Sequence, residues 1–141
     1  DAPRLLDAFG RLTTEAARAL GAPVYVAGQL AGTEGYVEAI RSGLNVALAV
    51  AARLRGIEPP RLPRESAFGA LMAYATDPAT AGYQPMHVNF GIMEPLAEPV
   101  RNKGARYAAY AARGAHAMEA YARQLREAGL LAGGEGEARH G

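Results

Sequence analysis

The chain has 141 residues, half of them hydrophobic and about a fifth charged, with a formal net charge of +1. That length allows one domain with its own core, and the composition is neither that of a disordered segment nor that of a membrane protein. The absence of cysteine excludes disulfides, thiolate zinc sites and cysteine nucleophiles, and three histidines far apart in sequence argue against any metal centre. No apolar run approaches the roughly 20 residues that span a bilayer. The opening DAPRLLDAFG lacks the basic and apolar regions of a secretory signal, so a cytoplasmic location is expected.

The chain opens on Asp1 rather than Met and shows no clear strand for two dozen residues, so it reads as a piece of a longer protein. Leu12 to Gly21 reads either as a short helix capped by Thr13 or Thr14, or as a strand entering a turn. Pro23 stops any helix, and Val24 to Ala27 reads as a short buried strand. From Tyr36 to Arg55 the spacing predicts a helix, with Val37, Ile40, Leu44, Ala47, Leu48, Ala51 and Leu54 recurring every three or four residues. Val46, Val50 and several alanines spread apolar character around it, which predicts a helix sandwiched between layers. Gly56 ends it and IEPPRLPRES forms an extended linker. A helix is expected over Glu65 to Ala75 and irregular chain from Thr76 to Met86, while Val88 to Ile92 is too short to classify. The last helix, about Arg101 to Ala128, carries Tyr107, Tyr110, Met118, Tyr121 and Leu125 on one stripe, most simply as core packing. The glycine-rich remainder reads as a frayed tail, and there is no internal repeat.

A strand, then Gly28, Gly32 and Gly35, then a helix start is an arrangement that lets backbone N–H groups approach an anion or an electron-rich ring. Gln29 adds an amide suited to sugar or ribityl hydroxyls. The spacing G-x-x-x-G-x-x-G is neither a dinucleotide fingerprint nor a P-loop. On spacing alone, a tight connection with no ligand is the simpler reading.

The residues themselves carry more. AGQLAGTEGYVEAIRSGL, from Ala27 to Leu44, resembles the second flavin-binding motif of the folate- and FAD-dependent tRNA (uracil-5-)-methyltransferases. The resemblance continues in the opening APRLLDA, in ESAFGALMAYAT (Glu65 to Thr76) and in YQPMHVNFGIMEPL (Tyr83 to Leu96). A sister family, which installs carboxymethylaminomethyl groups on tRNA wobble uridine, shares the AGQ turn. Glu34 and Val37 favour the methyltransferase, Thr33 leans towards the sister, Arg41 replaces a usual small residue and His87 stands where asparagine is common.

The resemblance implies an α/β fragment, mostly helical. It would hold the last strand and helix of an FAD-binding Rossmann-type domain (residues 1–56), a helical C-terminal region (57–128) and a flexible tail (129–141). It implies that Gly28, Gln29, Leu30, Gly32, Glu34, Gly35, Tyr36 and Val37 form one wall of an FAD site, with Gly28 and Gln29 near the ribityl chain. Gly35, Tyr36 and Val37 would bring the helix start near the isoalloxazine, where the positive end of the macrodipole stabilises the anionic reduced ring. It implies a reaction in which methylenetetrahydrofolate supplies carbon, reduced FAD relays it, NADH or NADPH regenerates the flavin, and a T-loop uridine of tRNA becomes 5-methyluridine. The catalytic cysteines of that family and its N-terminal G-x-G-x-x-G are not in this sequence. No catalytic residue is therefore assigned here, and the fragment alone is expected to bind flavin poorly and to catalyse nothing; its partners would be tRNA, methylenetetrahydrofolate and the N-terminal part of the same protein.

Glu34 and Glu38 read either as a catalytic carboxylate pair or, more simply, as charges complementing the helix dipole. His87 either faces folate or tRNA or is an ordinary packed or solvated side chain, and Asn89-Phe90-Gly91 either shapes an active-site rim or makes a structural turn. On the last helix Lys103, Arg106, Arg113, His116 and Arg123 share one broad face; it could meet tRNA phosphates, although a solvated face diluted by Glu119 and Glu127 is the plainer reading. A non-catalytic RNA- or partner-binding helical module is the reading from another class.

Overall fold

The computed structural model describes residues 5–77 and 79–132. Four α-helices follow in order: α1 (Glu15–Ala19), α2 (Tyr36–Leu54), α3 (Ala67–Thr76) and α4 (Lys103–Glu127). Short 3-10 turns occupy Gly28–Ala31 and Phe90–Ile92. The tail expected at 129–141 lies outside the described residues from 133 onward.

The helices start where short polar side chains cover the first free amides. Thr14 caps α1 through the Ala17 amide, so the 12–21 segment holds a five-residue helix, while Leu12 at its start lies in a β-bridge. Ser66 caps α3 through the Gly69 amide at 3.1 Å, and Asn102 caps α4 through the Ala105 amide at 2.9 Å. Helix α2 is the exception: its cap is Gly35, with φ +103° and no side-chain hydrogen bond.

Among the described residues β structure is confined to isolated bridges, Leu6 with Leu12, Arg11 with Tyr25 and Thr33 with Met86. The strand expected at Val24 to Ala27 is thus one edge of a two-rung pairing, in which the Leu12 amide donates to the Val24 carbonyl and the Val26 amide to that of Gly10. Its far edge meets no partner among the described residues, so it does not become a strand.

Two apolar clusters make the core. Leu48 packs with Tyr121 and Leu125, joining the middle of α2 to the end of α4. Phe68, Leu71 and Met72 of α3 form the second, against Met86 and Ile92, and Leu62 of the linker touches both. Linker and helix cross tightly at Gly69, where a Cβ would run into the Pro63 carbonyl.

Helix α2 differs from the sandwiched element its sequence predicts. Its buried positions are Glu38, Ser42, Asn45, Leu48, Ala49 and Ala52. Of the expected apolar stripe Leu48 is buried, but much of the rest points the other way, with Val37 76%, Ile40 74% and Leu54 83% exposed. The reason lies in the buried polar side chains. The Ser42 hydroxyl accepts from the Gly28 amide, Asn45 donates to the Ala8 carbonyl, and Glu38 accepts from the Val88 amide. Buried backbone groups need partners, and the first half of α2 supplies them.

Candidate functional site

The segment after the first bridge forms a glycine-hinged turn. Gly28 (φ +70°) opens a 3-10 turn, Gly32 (φ +83°) closes it, and Gly35 (φ +103°) starts α2. All three sit in the left-handed region that disfavours a side chain. Thr33, wholly buried, ties the turn shut by donating its hydroxyl to the Gly28 carbonyl at 2.9 Å.

A stretch some fifty residues later zips onto this turn. The Glu34 amide donates to the Met86 carbonyl at 3.1 Å, and the Met86 amide to the Gly32 carbonyl at 3.4 Å. The Tyr83 hydroxyl donates to the same Gly32 carbonyl at 2.6 Å. Burial, with Tyr74 alongside, raises the Tyr83 phenol above its ordinary value, so it stays a neutral donor. The Val88 amide donates to Glu38 Oε1 at 3.1 Å, and His87 Nδ1 lies 3.8 Å from the same oxygen. Glu38 is held below its ordinary value by its own amide and that of Val88, with His87 adding to the effect, against an opposing push from burial. Two motifs far apart in sequence are therefore one surface.

The residues singled out from sequence divide between its outside and its inside. Gln29, Leu30 (80% exposed), Tyr36 (93%) and Val37 (76%) are presented on the exposed rim. Gly28, Glu34 and Gly35 are half-buried between them. Gly32 is buried, and a Cβ there would lie 2.8 Å from the Tyr83 ring, so its need for glycine is met inside the protein. At Gly35 a Cβ would collide with the Glu38 carboxylate and approach His87 Nδ1 to 2.7 Å. Glu38 is the buried bracket on which the His87–Val88 segment hangs. Tyr83 and Ser42 lie inside the stretches that carry the resemblance, but nothing in either stretch marks them as the residues that hold the turn.

On α4 the picture is also changed. Only Tyr121 and Leu125 of the tyrosine stripe are buried. Tyr107 is at the surface, stacked on Phe90 with centroids 4.3 Å apart and planes within 9°, and Tyr110 tilts against the same ring at 5.4 Å. The basic side chains interleave with these rings rather than forming a separate face. Lys103 and Arg106 lie 5.6 and 5.8 Å from the Tyr107 centroid, and Arg113 lies 5.1 Å from that of Tyr110. The Arg113 guanidinium is spent on the Glu94 and Pro95 carbonyls, at 2.7 and 3.0 Å, and so clasps the 90s loop to the helix. Arg123 is exposed between the buried Tyr121 and Leu125, far along the helix from this cluster. Among the described residues no group of three or more His, Asp or Glu side chains could hold a metal, and no helix is long and apolar enough to cross a membrane.

Comparison with known proteins agrees with this geometry. The family model described as glucose inhibited division protein A matches residues 12–58, which hold the turn and α2. The relatives reach further. The chain is 40% identical over 121 residues to the methylenetetrahydrofolate–tRNA-(uracil-5-)-methyltransferase of Thermotoga neapolitana, covering 86% of this chain and 26% of that protein. It is 39% identical over 121 residues to the enzyme of the same name from Symbiobacterium thermophilum (85% and 26%), and 42% identical over 98 residues to that of Heliobacterium modesticaldum (70% and 22%). The chain belongs to the methylenetetrahydrofolate–tRNA-(uracil-5-)-methyltransferase family. It spans about a quarter of the length of these curated relatives.

Proposed function

We propose that this chain is the part of a flavoenzyme that closes one wall over FAD, in a protein that methylates a T-loop uridine of tRNA at C5 with methylenetetrahydrofolate as carbon donor. The observation that carries this reading is the zipped surface itself. The turn from Gly28 to Val37 and the segment from Tyr83 to Asn89 are the stretches that resemble the family most, and they are hydrogen-bonded to each other.

The residues fit a flavin. The Glu38 amide faces its own carboxylate, but Gly35 has no side chain to cap an amide of α2, so those of Tyr36 and Val37, at the positive end of the dipole, are left for an electron-rich ring. Gly35 leaves no room for a Cβ on the side where Glu38 and His87 stand, and the exposed Gln29 amide can meet a hydroxylated chain. The bound cofactor would supply the redox and one-carbon transfer chemistry. Gly28, Gln29, Leu30, Glu34, Gly35, Tyr36 and Val37 would bind and orient it, with Gly32 setting the turn. The exposed stripe of Val37, Ile40, Leu44 and Leu54 supports a further partner, the N-terminal part of the same protein, packed on that face of α2 in the Rossmann-type manner. Lys103, Arg106 and Arg123 remain candidates for tRNA phosphates, with Arg113 holding the loop beside them. The chain alone would neither retain flavin well nor catalyse, and the location would be cytoplasmic.

The match to the glucose inhibited division protein A model stops at residue 58, whereas identity to the methyltransferases runs over 121 residues, so the methyltransferase is the better-supported reading. The test is the complete protein, a T-loop hairpin transcript, methylenetetrahydrofolate and NADH or NADPH. Appearance of 5-methyluridine by mass spectrometry, with yellow flavin absorbance in the purified protein, is expected. A flavin-bearing protein that leaves the uridine unmodified under these conditions refutes the reaction.

A further inference from the structure

At the other end of α2 from the glycine turn, a cleft of about 730 Å³ opens between the N-terminal loop, the proline-rich linker and the end of α3. Arg11, Arg53, Arg61 and Arg64 line it. An adjoining cleft of about 320 Å³ shares Arg11 and Arg53 and adds Arg18. Five of the chain's fifteen lysines and arginines therefore border two clefts that share Arg11 and Arg53, in a protein whose formal net charge is only +1.

Three carboxylates also lie there, Asp7, Glu58 and Asp77. Asp7 is committed to Arg11 at 2.8 Å and to the amides of Phe9 and Arg11, and Asp77 accepts from the Ala79 amide. Among the described residues no carboxylate oxygen lies within ion-pair distance of Arg18, Arg53, Arg61 or Arg64. The cations are also held on stiff supports. Arg53 is in the last turn of α2. Arg61 and Arg64 are flanked by Pro59, Pro60 and Pro63, whose fixed φ limits the linker, and the Pro63 carbonyl is pinned by the Ser66 amide and hydroxyl. The backbone that carries these side chains therefore has little freedom left to lose when an anion is bound there.

Distance decides what kind of anion. Tyr36 opens α2 and Arg53 lies in its last turn, so at 1.5 Å per residue the two stand about 25 Å apart. A ligand that meets both is a polymer, and guanidinium groups spaced along a stiff backbone are suited to successive phosphates. We propose that this arginine-lined cleft grips the phosphodiester backbone of the RNA whose target base is presented at the glycine turn. The inference rests on the RNA-modifying reading above and adds a second, remote contact to it.

The experiment compares the complete wild-type protein with the triple variant Arg53→Gln, Arg61→Gln, Arg64→Gln, and with the matching triple Lys variant. Affinity for a T-arm hairpin RNA is measured across a salt titration, with flavin content and melting temperature as checks on folding. Each phosphate contact contributes slightly less than one unit to the slope of log affinity against log salt, so the Gln variant is expected to lose about two units of slope. The Lys variant keeps the charges and is expected to keep most of the slope. A Gln variant with the wild-type slope overturns the cleft, as does a Lys variant that loses as much slope as the Gln variant. A wild-type protein that shows the arginine-dependent slope but forms no 5-methyluridine upholds the cleft and refutes the methyltransferase reading instead.

Discussion

Gly35 is the position where backbone conformation, packing and the functional reading meet. Its φ of +103° costs an L side chain about 1–2 kcal/mol, and the new Cβ would press on Glu38 and His87. Gly35→Ala in the complete protein is therefore expected to lower flavin content and melting temperature together; retention of full flavin content would remove Gly35 from the cofactor wall. Tyr83→Phe deletes one hydroxyl from a half-buried contact with Gly32. It should cost about 1 kcal/mol in denaturant unfolding, the usual net value of such a bond. Glu38 gives a pH signature. Its folded-state pKa is depressed from the ordinary 4.5, so its stabilisation is present above that value and is lost as pH falls through the lower folded value. Wild-type protein should lose stability on acidification below about pH 4.5 more steeply than Glu38→Gln, which is less stable at pH 7 but flatter with pH. Parallel acid profiles for the two would show that the Val88 and His87 contacts do not set this group's ionisation.

At the level of elements, α2, α3 and α4 were legible to within two or three residues at each end, because each combines a 3.6-residue apolar period with a recognisable start and stop. The direction in which α2 faces was not legible. Apolar periodicity finds a stripe but does not say which partner covers it, and in this helix Glu38, Ser42 and Asn45 turn inward to hold backbone groups of loops at Gly28, Ala8 and Val88. The tyrosine stripe of α4 was misjudged for a related reason. A single helix face crosses from the Leu48 core at Tyr121 to the surface at Tyr107, and sequence spacing is the same on both sides of that boundary. Two substitutions separate the faces. Leu71→Ala, at a fully buried α3 position, should cost about 2–5 kcal/mol through lost contacts and an unfilled cavity. Ile40→Asp with Leu44→Asp should barely change the unfolding of this chain by itself, yet destabilise the complete protein, since only there would the exposed stripe be covered. Equal effects in both settings would show that the stripe has no partner.

Over the whole molecule, the fold class was legible as mostly helical, and the glycine turn was legible as a motif, but the surface that it forms with the later segment was not. Nothing in the residues from Tyr83 to Asn89 announces that they lie against Gly32, Glu34 and Glu38. Contacts separated by more than a third of the chain leave no local signature, and only the tertiary structure joins the turn to the segment that backs it. The arginine cleft escaped notice for the same reason: Arg11, Arg53, Arg61 and Arg64 come from a loop, a helix end and a linker that only packing assembles.

The pairing of Thr33 with Met86 also sets an order of events during synthesis. A ribosome adding about 5–20 residues per second would need several seconds after making the glycine turn before the backing segment emerges. Through that interval the turn would lack the Tyr83 hydroxyl and the Met86 carbonyl that fix its backbone. Any ligand that depends on this wall would therefore meet it complete only after that interval has passed.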